Sequence, residues 1–199
     1  MSSPLWPYAT PGIPDDLFER SPGIPLTKRE TRLAILALLR LTPTSLLWDI
    51  GAGTGTIAIE SGLLCPEGKV LAIERDPEVV SLIRHNCDRF GVRNVTVMEG
   101  HAPECLDTLP DHPDRVCVEG SRTAKLTLQR VWEQLKPGGR VIATATTLNS
   151  LYAISESLAD IQARNIEIIQ SSANRLETRG NSQTFAAINP TFILSGEKL

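Results

Sequence analysis

The chain has 199 residues, 41% hydrophobic and 22% charged, enough for one domain with a full core and too few for two ordinary ones. A formal net charge of -3 excludes a global basic field for holding nucleic acid and leaves room only for a local patch. The longest apolar run, Leu33 to Leu39, is too short to cross a membrane.

Residues 1–26 carry Pro4, Pro7, Pro11, Pro14, Pro22 and Pro25, which rule out regular helix or central strand. The segment is either a disordered leader or an ordered arm draped over a site, and Trp6, Tyr8 and Phe18 favour partial order. Its prolines stand where a signal peptide needs a basic and then an apolar helix, so a cytoplasmic protein is expected. Cys65, Cys87, Cys105 and Cys117 form no CxxC and lack a nearby histidine pairing. Reduced thiols are therefore expected, with no metal site.

Thr27-Lys-Arg-Glu30 reads as a capping box, and residues 27–199 are expected to form the single main domain. An amphipathic helix follows through Arg40, with Lys28, Arg29 and Arg32 on its first turns as solvated surface or ligand contacts. Leu46 to Ile50 reads as a buried strand, and Gly51, Gly53 and Gly55 follow before a helix from Thr56 to Leu64. Glycines at such a junction let the backbone turn sharply and approach a ligand without a Cβ in the way. The helix start adds free N–H groups and the positive end of its dipole, which suits an anionic group.

The spacing from Asp49 to Gly55 is DxGxGxG, not the GxGxxG of nicotinamide and flavin sites, and no P-loop lysine follows. A second strand, Lys69 to Glu74, ends in an acid about twenty residues after the loop, the distance at which a carboxylate takes ribose hydroxyls. Asp76-Pro77 starts a helix that stops at Gly91. Further strands are expected at 94–98, 114–118, 140–145 and 166–169, with a last one at 183–188 and 191–194 broken by Asn189-Pro190. Helices are expected near 123–135 and 148–163. Strands alternating with helices predict a doubly wound, mainly parallel Rossmann-like sheet that binds ligands at its carboxyl edge.

The glycine loop, Glu74 and the LKPGGRV stretch resemble class I S-adenosylmethionine-dependent methyltransferases. Gly12-Ile-Pro-Asp15-Asp16, Leu26-Thr-Lys-Arg-Glu30 and Asn189-Pro190-Thr-Phe-Ile further resemble the decarboxylating cobalt-precorrin C15-methyltransferases of cobalamin biosynthesis, from about Gly12 to the end. The same unit forms the C-terminal half of fused precorrin-6Y C5,15-methyltransferases.

The resemblance implies a seven-stranded sheet with an antiparallel last strand and a homo-oligomer, a tetramer. It implies S-adenosylmethionine as cofactor, held by Thr27, Asp49, Gly51, Ala52, Gly53, Thr54, Gly55, Glu74, Arg75, His101 and Ala102. The implied substrate is a reduced tetrapyrrole with several carboxylates, methylated at C15 and losing the ring C acetate as carbon dioxide. Forked cations suit such carboxylates. The cationic candidates are Lys28, Arg29, Arg122, Arg175 and Arg179, the last two in an expected loop before the final strand, with Gly120 and Ser121 as further substrate-binding candidates.

Two positions depart from relatives. His101 stands where many have aspartate, and is either an adenine acceptor or an exposed side chain with only the backbone used. Glu119 stands where relatives tend to have a small residue. It is the candidate catalytic residue, as a proton-transfer group, or an acid paired with Arg122. Competing readings are an RNA or protein methyltransferase of the same fold, and a non-catalytic partner working beside a separate C5-methyltransferase.

Overall fold

The computed structural model describes residues 4–119 and 123–199. Their chain alternates strand and helix: α1 (Arg29–Leu39), β1 (Leu46–Ile50), α2 (Thr56–Leu64), β2 (Lys69–Glu74), α3 (Pro77–Phe90), β3 (Val95–Glu99), β4 (Arg115–Val118), α4 (Ala124–Gln134), β5 (Arg140–Ala145), α5 (Leu148–Asp160), β6 (Arg164–Arg179) and β7 (Ser182–Glu197). The seven strands form one sheet in the order β3-β2-β1-β4-β5-β7-β6, with β7 antiparallel to both its neighbours. This is the doubly wound sheet with an antiparallel last strand that the sequence led us to expect.

Side-chain alternation along each strand explains why helices cover both faces. Leu47, Cys117, Ile142 and Ile193 point into one core with Ile35, Leu39, Ile57 and Ile83 of α1, α2 and α3. Their immediate neighbours Trp48, Val116, Val118, Val141 and Leu194 point into a second core with Leu128 and Val131 of α4 and Ile154 of α5. Strands buried on both sides must be apolar at nearly every position, as these are. Chain direction away from β1 reverses between β1 and β4, and ligands bind such sheets at that switch point.

Two expectations are corrected. The capping box does not form: Lys28 occupies the N-cap and no side chain of its own caps α1. Asp15 of the N-terminal arm accepts the Arg29 N–H instead, at 3.0 Å. Thr27 and Glu30 are engaged elsewhere, so a tertiary carboxylate replaces the local motif.

The second correction concerns Arg175 and Arg179, expected in a loop but lying in β6, which runs sixteen residues from Arg164 to Arg179. Gly180, at φ +60°, turns the chain directly into β7, so the pair is one long hairpin. The polar run from Asn174 to Arg179 hid the strand because this stretch has no core behind it. Asn189-Pro190 lies inside β7, where the register shifts between Ser171–Thr191 and Ala173–Ile188. A bulge spares proline the ladder hydrogen bond it cannot donate. Phe192 is the last β7 residue paired with β5, opposite Ala145. The hairpin beyond it therefore projects past the carboxyl edge of the sheet as a two-stranded ribbon, tied at Arg175 to Glu30 of α1 and Asp15 of the arm.

The arm is ordered through the described residues and fastened by charge. Arg32, fully buried on α1, donates to Glu60 of α2, to Asp15 at 3.3 Å, and to the carbonyls of Thr27 (2.6 Å) and Ile13. Glu60 also accepts the N–H groups of Gly12 and Ile13. Asn86, buried on α3, donates to the carbonyls of Glu19 and Thr54 and accepts the Glu19 N–H. One guanidinium and one amide thus tie residues 12–19 to the helices beside the glycine loop.

Candidate active site

The glycine loop joins β1 to α2 in the turn the sequence requires. Gly51, Gly53 and Gly55 have φ of +78°, +52° and +82°, where a side chain is strained. A Cβ on Gly55 would lie 2.8 Å from Ile83 Cγ2, so the loop packs onto α3 too closely for any larger residue. The arm covers the loop from outside: the Pro25 carbonyl accepts both the Thr54 hydroxyl (2.7 Å) and the Thr54 N–H (3.3 Å). Ala52 is buried in the same turn.

Three carboxylates converge at the carboxyl ends of neighbouring strands. Asp49 lies on β1, Glu74 ends β2, and Glu119 follows β4, its N–H donating to the Ile50 carbonyl at 3.0 Å. Glu74 is held open over the loop by the N–H groups of Gly53 (3.2 Å), Arg75 (2.8 Å) and Asp76 (3.3 Å). Asp49 is 1% exposed, and neither of its oxygens has a hydrogen-bond partner among the described residues. Burial drives its carboxyl well above the usual range, and the charges of Glu119 and Glu74 add to this; the Ala58 N–H opposes them without reaching hydrogen-bond geometry. A buried carboxylate in this state asks for a cationic partner.

Glu119 crosses to the arm. It accepts the Thr27 hydroxyl, so Thr27 and Pro25 form a strap over the first and second glycines. Burial pushes its carboxyl up to about 7, against the Thr27 hydrogen bond and the Arg32 charge, while the Glu74 charge adds to the rise. A Cβ on Gly51 would sit 3.4 Å from the Glu119 carbonyl, which puts this residue directly across the loop.

The remaining sequence candidates divide. His101 is exposed and its Nδ1 pairs with Glu104 at 2.7 Å, while Ala102 stands beside it with its carbonyl 3.5 Å from the Thr123 hydroxyl. Arg75 is exposed at the rim. Lys28 and Arg29 lie at the start of α1, next to the Thr27–Glu119 contact. Arg175 is a step behind them, its fork on Glu30 at 2.9 and 2.6 Å and on Asp15 at 2.9 Å. That hydrogen bond to Arg175 is the main reason the Glu30 carboxyl falls below its usual range. Arg179 lies near the hairpin tip, paired with Glu177 and away from the carboxylates. Gly120, Ser121 and Arg122 lie outside the described residues.

Sequence reasoning passed over the residues that build the site from behind: Asp15, Glu60 and Asn86, together with the role of Arg32. A signal was present for three of them. Arg32 precedes Ile35 and Leu39 on the apolar stripe of α1, Glu60 interrupts the apolar α2, and Asn86 shares a stripe with Val79, Ile83 and Phe90. A polar side chain on a buried stripe implies a partner across the fold.

A family model, the precorrin methyltransferase domain, matches residues 16–198. A curated relative from Pyrobaculum calidifontis, a probable cobalt-precorrin-6B C(15)-methyltransferase (decarboxylating), is 38% identical over 192 residues, covering 96% of this chain and 97% of the relative. The crystal structure of a precorrin-6Y C5,15-methyltransferase from Geobacter metallireducens GS-15 superposes with a TM-score of 0.87 at 35% identity, covering 94% of this chain and 98% of that one. The precorrin 8W decarboxylase of Methanobacterium thermoautotrophicum superposes with a TM-score of 0.84 at 34% identity, covering 92% and 98%.

Proposed function

The chain belongs to the precorrin methyltransferase family, and from that membership we propose that it methylates C15 of a precorrin or cobalt-precorrin from S-adenosylmethionine, with loss of the ring C acetate as carbon dioxide, in cobalamin biosynthesis. The observation that carries the cofactor assignment is Asp49, buried, without a hydrogen-bond partner among the described residues, at the base of a glycine loop and flanked by two further carboxylates. That arrangement suits the ammonium and sulfonium charges of this cofactor and opposes the anionic pyrophosphate of a dinucleotide.

In this reading Asp49 holds the methionine ammonium and the backbone of Gly51, Ala52, Gly53, Thr54 and Gly55 receives its carboxylate. Glu74 takes the ribose hydroxyls beside Arg75, and the His101–Ala102 turn takes the adenine. Thr27 closes the strap over the loop. Bound there, the sulfonium supplies a methyl group already activated for in-line displacement. The protein then needs chiefly to orient the acceptor carbon and exclude water, which is worth roughly 7–11 kcal/mol of barrier. Lys28 and Arg29 flank the acceptor side and would pair with macrocycle carboxylates, joined by Gly120, Ser121 and Arg122. Arg175 fixes Asp15 and Glu30 behind them, and its own pairing supports a positioning role beside the substrate role expected from sequence. Glu119 faces the acceptor and is the group we assign to proton transfer accompanying decarboxylation.

No described helix is long and apolar enough to cross a membrane, in keeping with a cytoplasmic biosynthetic enzyme. The hairpin ribbon supports assembly as a homo-oligomer, a tetramer by the family resemblance. Leu176 and Phe185 face each other in its register, 54% and 72% exposed. A lone two-stranded ribbon is marginal in water, and an apolar edge recruits partners. Phe185→Asp is expected to shift the sedimentation coefficient toward a smaller species while leaving cofactor binding intact; an unchanged coefficient would remove the ribbon from the interface. Functional pairing with a separate C5-methyltransferase would fit the fused arrangement.

Calorimetric titration with S-adenosylhomocysteine, with NADH as control, tests the cofactor assignment: one site per chain for the former and none for the latter is expected. Incubation with cobalt-precorrin-6B and methyl-labelled cofactor, without other proteins, should then transfer label and release carbon dioxide. Failure of both ligands to bind would refute the reading of the loop, and cofactor binding without turnover would favour a non-catalytic partner.

A further inference from the structure

The order of strands fixes which end of the cofactor Glu119 faces. With the ribose at Glu74 on β2 and the adenine at the turn after β3, the ligand must extend across β1 toward β4. In the reading above the ammonium is at Asp49 on β1, so the sulfur and its methyl group lie between Glu74 and Asp49, and the Glu119 charge is felt at Asp49 as the Glu74 charge is felt at Glu119. Glu119 closes the β4 side: it follows β4, lies across from Gly51 and is held there by the Thr27 hydroxyl.

We propose that Glu119 is the specificity-determining residue by which this chain distinguishes the cationic cofactor from its neutral thioether product, favouring the sulfonium and so promoting product release after each transfer. This rests on the cofactor reading above. Transfer of the methyl group removes the positive charge from sulfur and nothing from the ammonium, carboxylate, ribose or adenine. Only a carboxylate facing the sulfur therefore loses its attraction when the reaction is complete. Asp49, which partners the ammonium common to both ligands, cannot make that distinction as strongly. Burial, foremost, and Glu74 on β2 act against ionisation of Glu119, while Thr27 on the strap and Arg32 on α1 pull its proton off; the Glu119 charge in turn raises the Asp49 carboxyl on β1. The arriving sulfonium shifts this balance toward the carboxylate.

Calorimetry decides it. Dissociation constants for S-adenosylmethionine and S-adenosylhomocysteine should be measured on the parent and on Glu119→Gln between pH 6 and 8.5. In the parent, the preference for the methylated ligand should rise with pH through about 7, where Glu119 ionises. The sulfonium lowers the ammonium pKa of the methylated ligand relative to the thioether, so the contribution of Glu119 is read as the difference between the parent and Glu119→Gln at each pH. In Glu119→Gln the preference should fall about tenfold at pH 8 and lose the rise through pH 7, with product affinity retained, the size of one partly solvated charge pair. An unchanged ratio, an equal loss for both ligands, or the same rise through pH 7 in Glu119→Gln would overturn the proposal. Failure of both ligands to bind the parent would instead refute the cofactor reading. Thr27→Val is the second variant: without its hydrogen bond the Glu119 carboxyl titrates higher, so the midpoint of the preference should move to higher pH, and a fixed midpoint would overturn the proposal as well.

Discussion

Asp49→Asn is expected to weaken S-adenosylhomocysteine binding by roughly 30- to 100-fold while leaving the ligand-free protein at least as heat-stable as the parent. The affinity loss follows from removing one buried charge-assisted contact to an ammonium, about 2–3 kcal/mol. The stability result follows from the same burial. Asp49 has no hydrogen-bond partner among the described residues, and its carboxyl is pushed up by burial first and by Glu119 next. A group whose folded pKa is raised contributes its stability at low pH and loses it as pH climbs through the folded value. Ionised Asp49 thus destabilises the empty site, and asparagine removes that cost at the same shape. The melting difference between variant and parent should accordingly widen from pH 5 to pH 8. Calorimetry and thermal melts check both halves; a variant that binds normally would sink the assignment of Asp49, and one that melts far below the parent would make it a structural residue.

Arg32→Met carries the largest expected stability effect. The guanidinium is fully buried and serves Glu60, Asp15 and two carbonyls at once. Methionine keeps much of the volume but leaves Glu60, itself 1% exposed, as an uncompensated buried charge. Breaking such a pair costs about 3–5 kcal/mol, which for a domain of this size lowers Tm by roughly 10 °C. The damage should be greatest at the arm, because Glu60 also holds the Gly12 and Ile13 N–H groups and Asp15 also caps α1. Hydrogen exchange should therefore rise first in residues 12–19 and at the start of α1. Uniform loss of protection would mean that the arm has no separate fastening, and an unchanged Tm would mean that the charge network contributes no net stability. Arg32→Met combined with Glu60→Gln should recover part of the loss, since the second change removes the stranded charge.

Elements made by local periodicity were legible in the sequence. The run from Thr56 to Leu64, the strand from Lys69 to Glu74, the Asp76-Pro77 start and Gly91 stop of α3, and the strand from Arg140 to Ala145 all stand where their residues place them. The chemistry of the cofactor loop was legible for the same reason: three glycines at positive φ between an acid-bearing strand and a helix are a local requirement of the backbone.

Tertiary structure decided whatever depended on a partner distant in the chain. Thr27 and Glu30 satisfy every sequence criterion of a capping box, yet Glu119, ninety-two residues away, takes the one, and Arg175, 145 away, takes the other. The polar stretch from Asn174 to Arg179 becomes strand because Ser182 to Ala187 pairs with it across the tight turn at Gly180, a pairing that no apolar alternation announces. Arg32, Glu60 and Asn86 announce burial by their place on apolar stripes, but their partners, with Asp15 among them, are set only where the fold joins them into the fastening beneath the site. Local sequence sets backbone propensity and the side of burial; a buried charge is stable only beside its partner, and only the fold determines which partner that is.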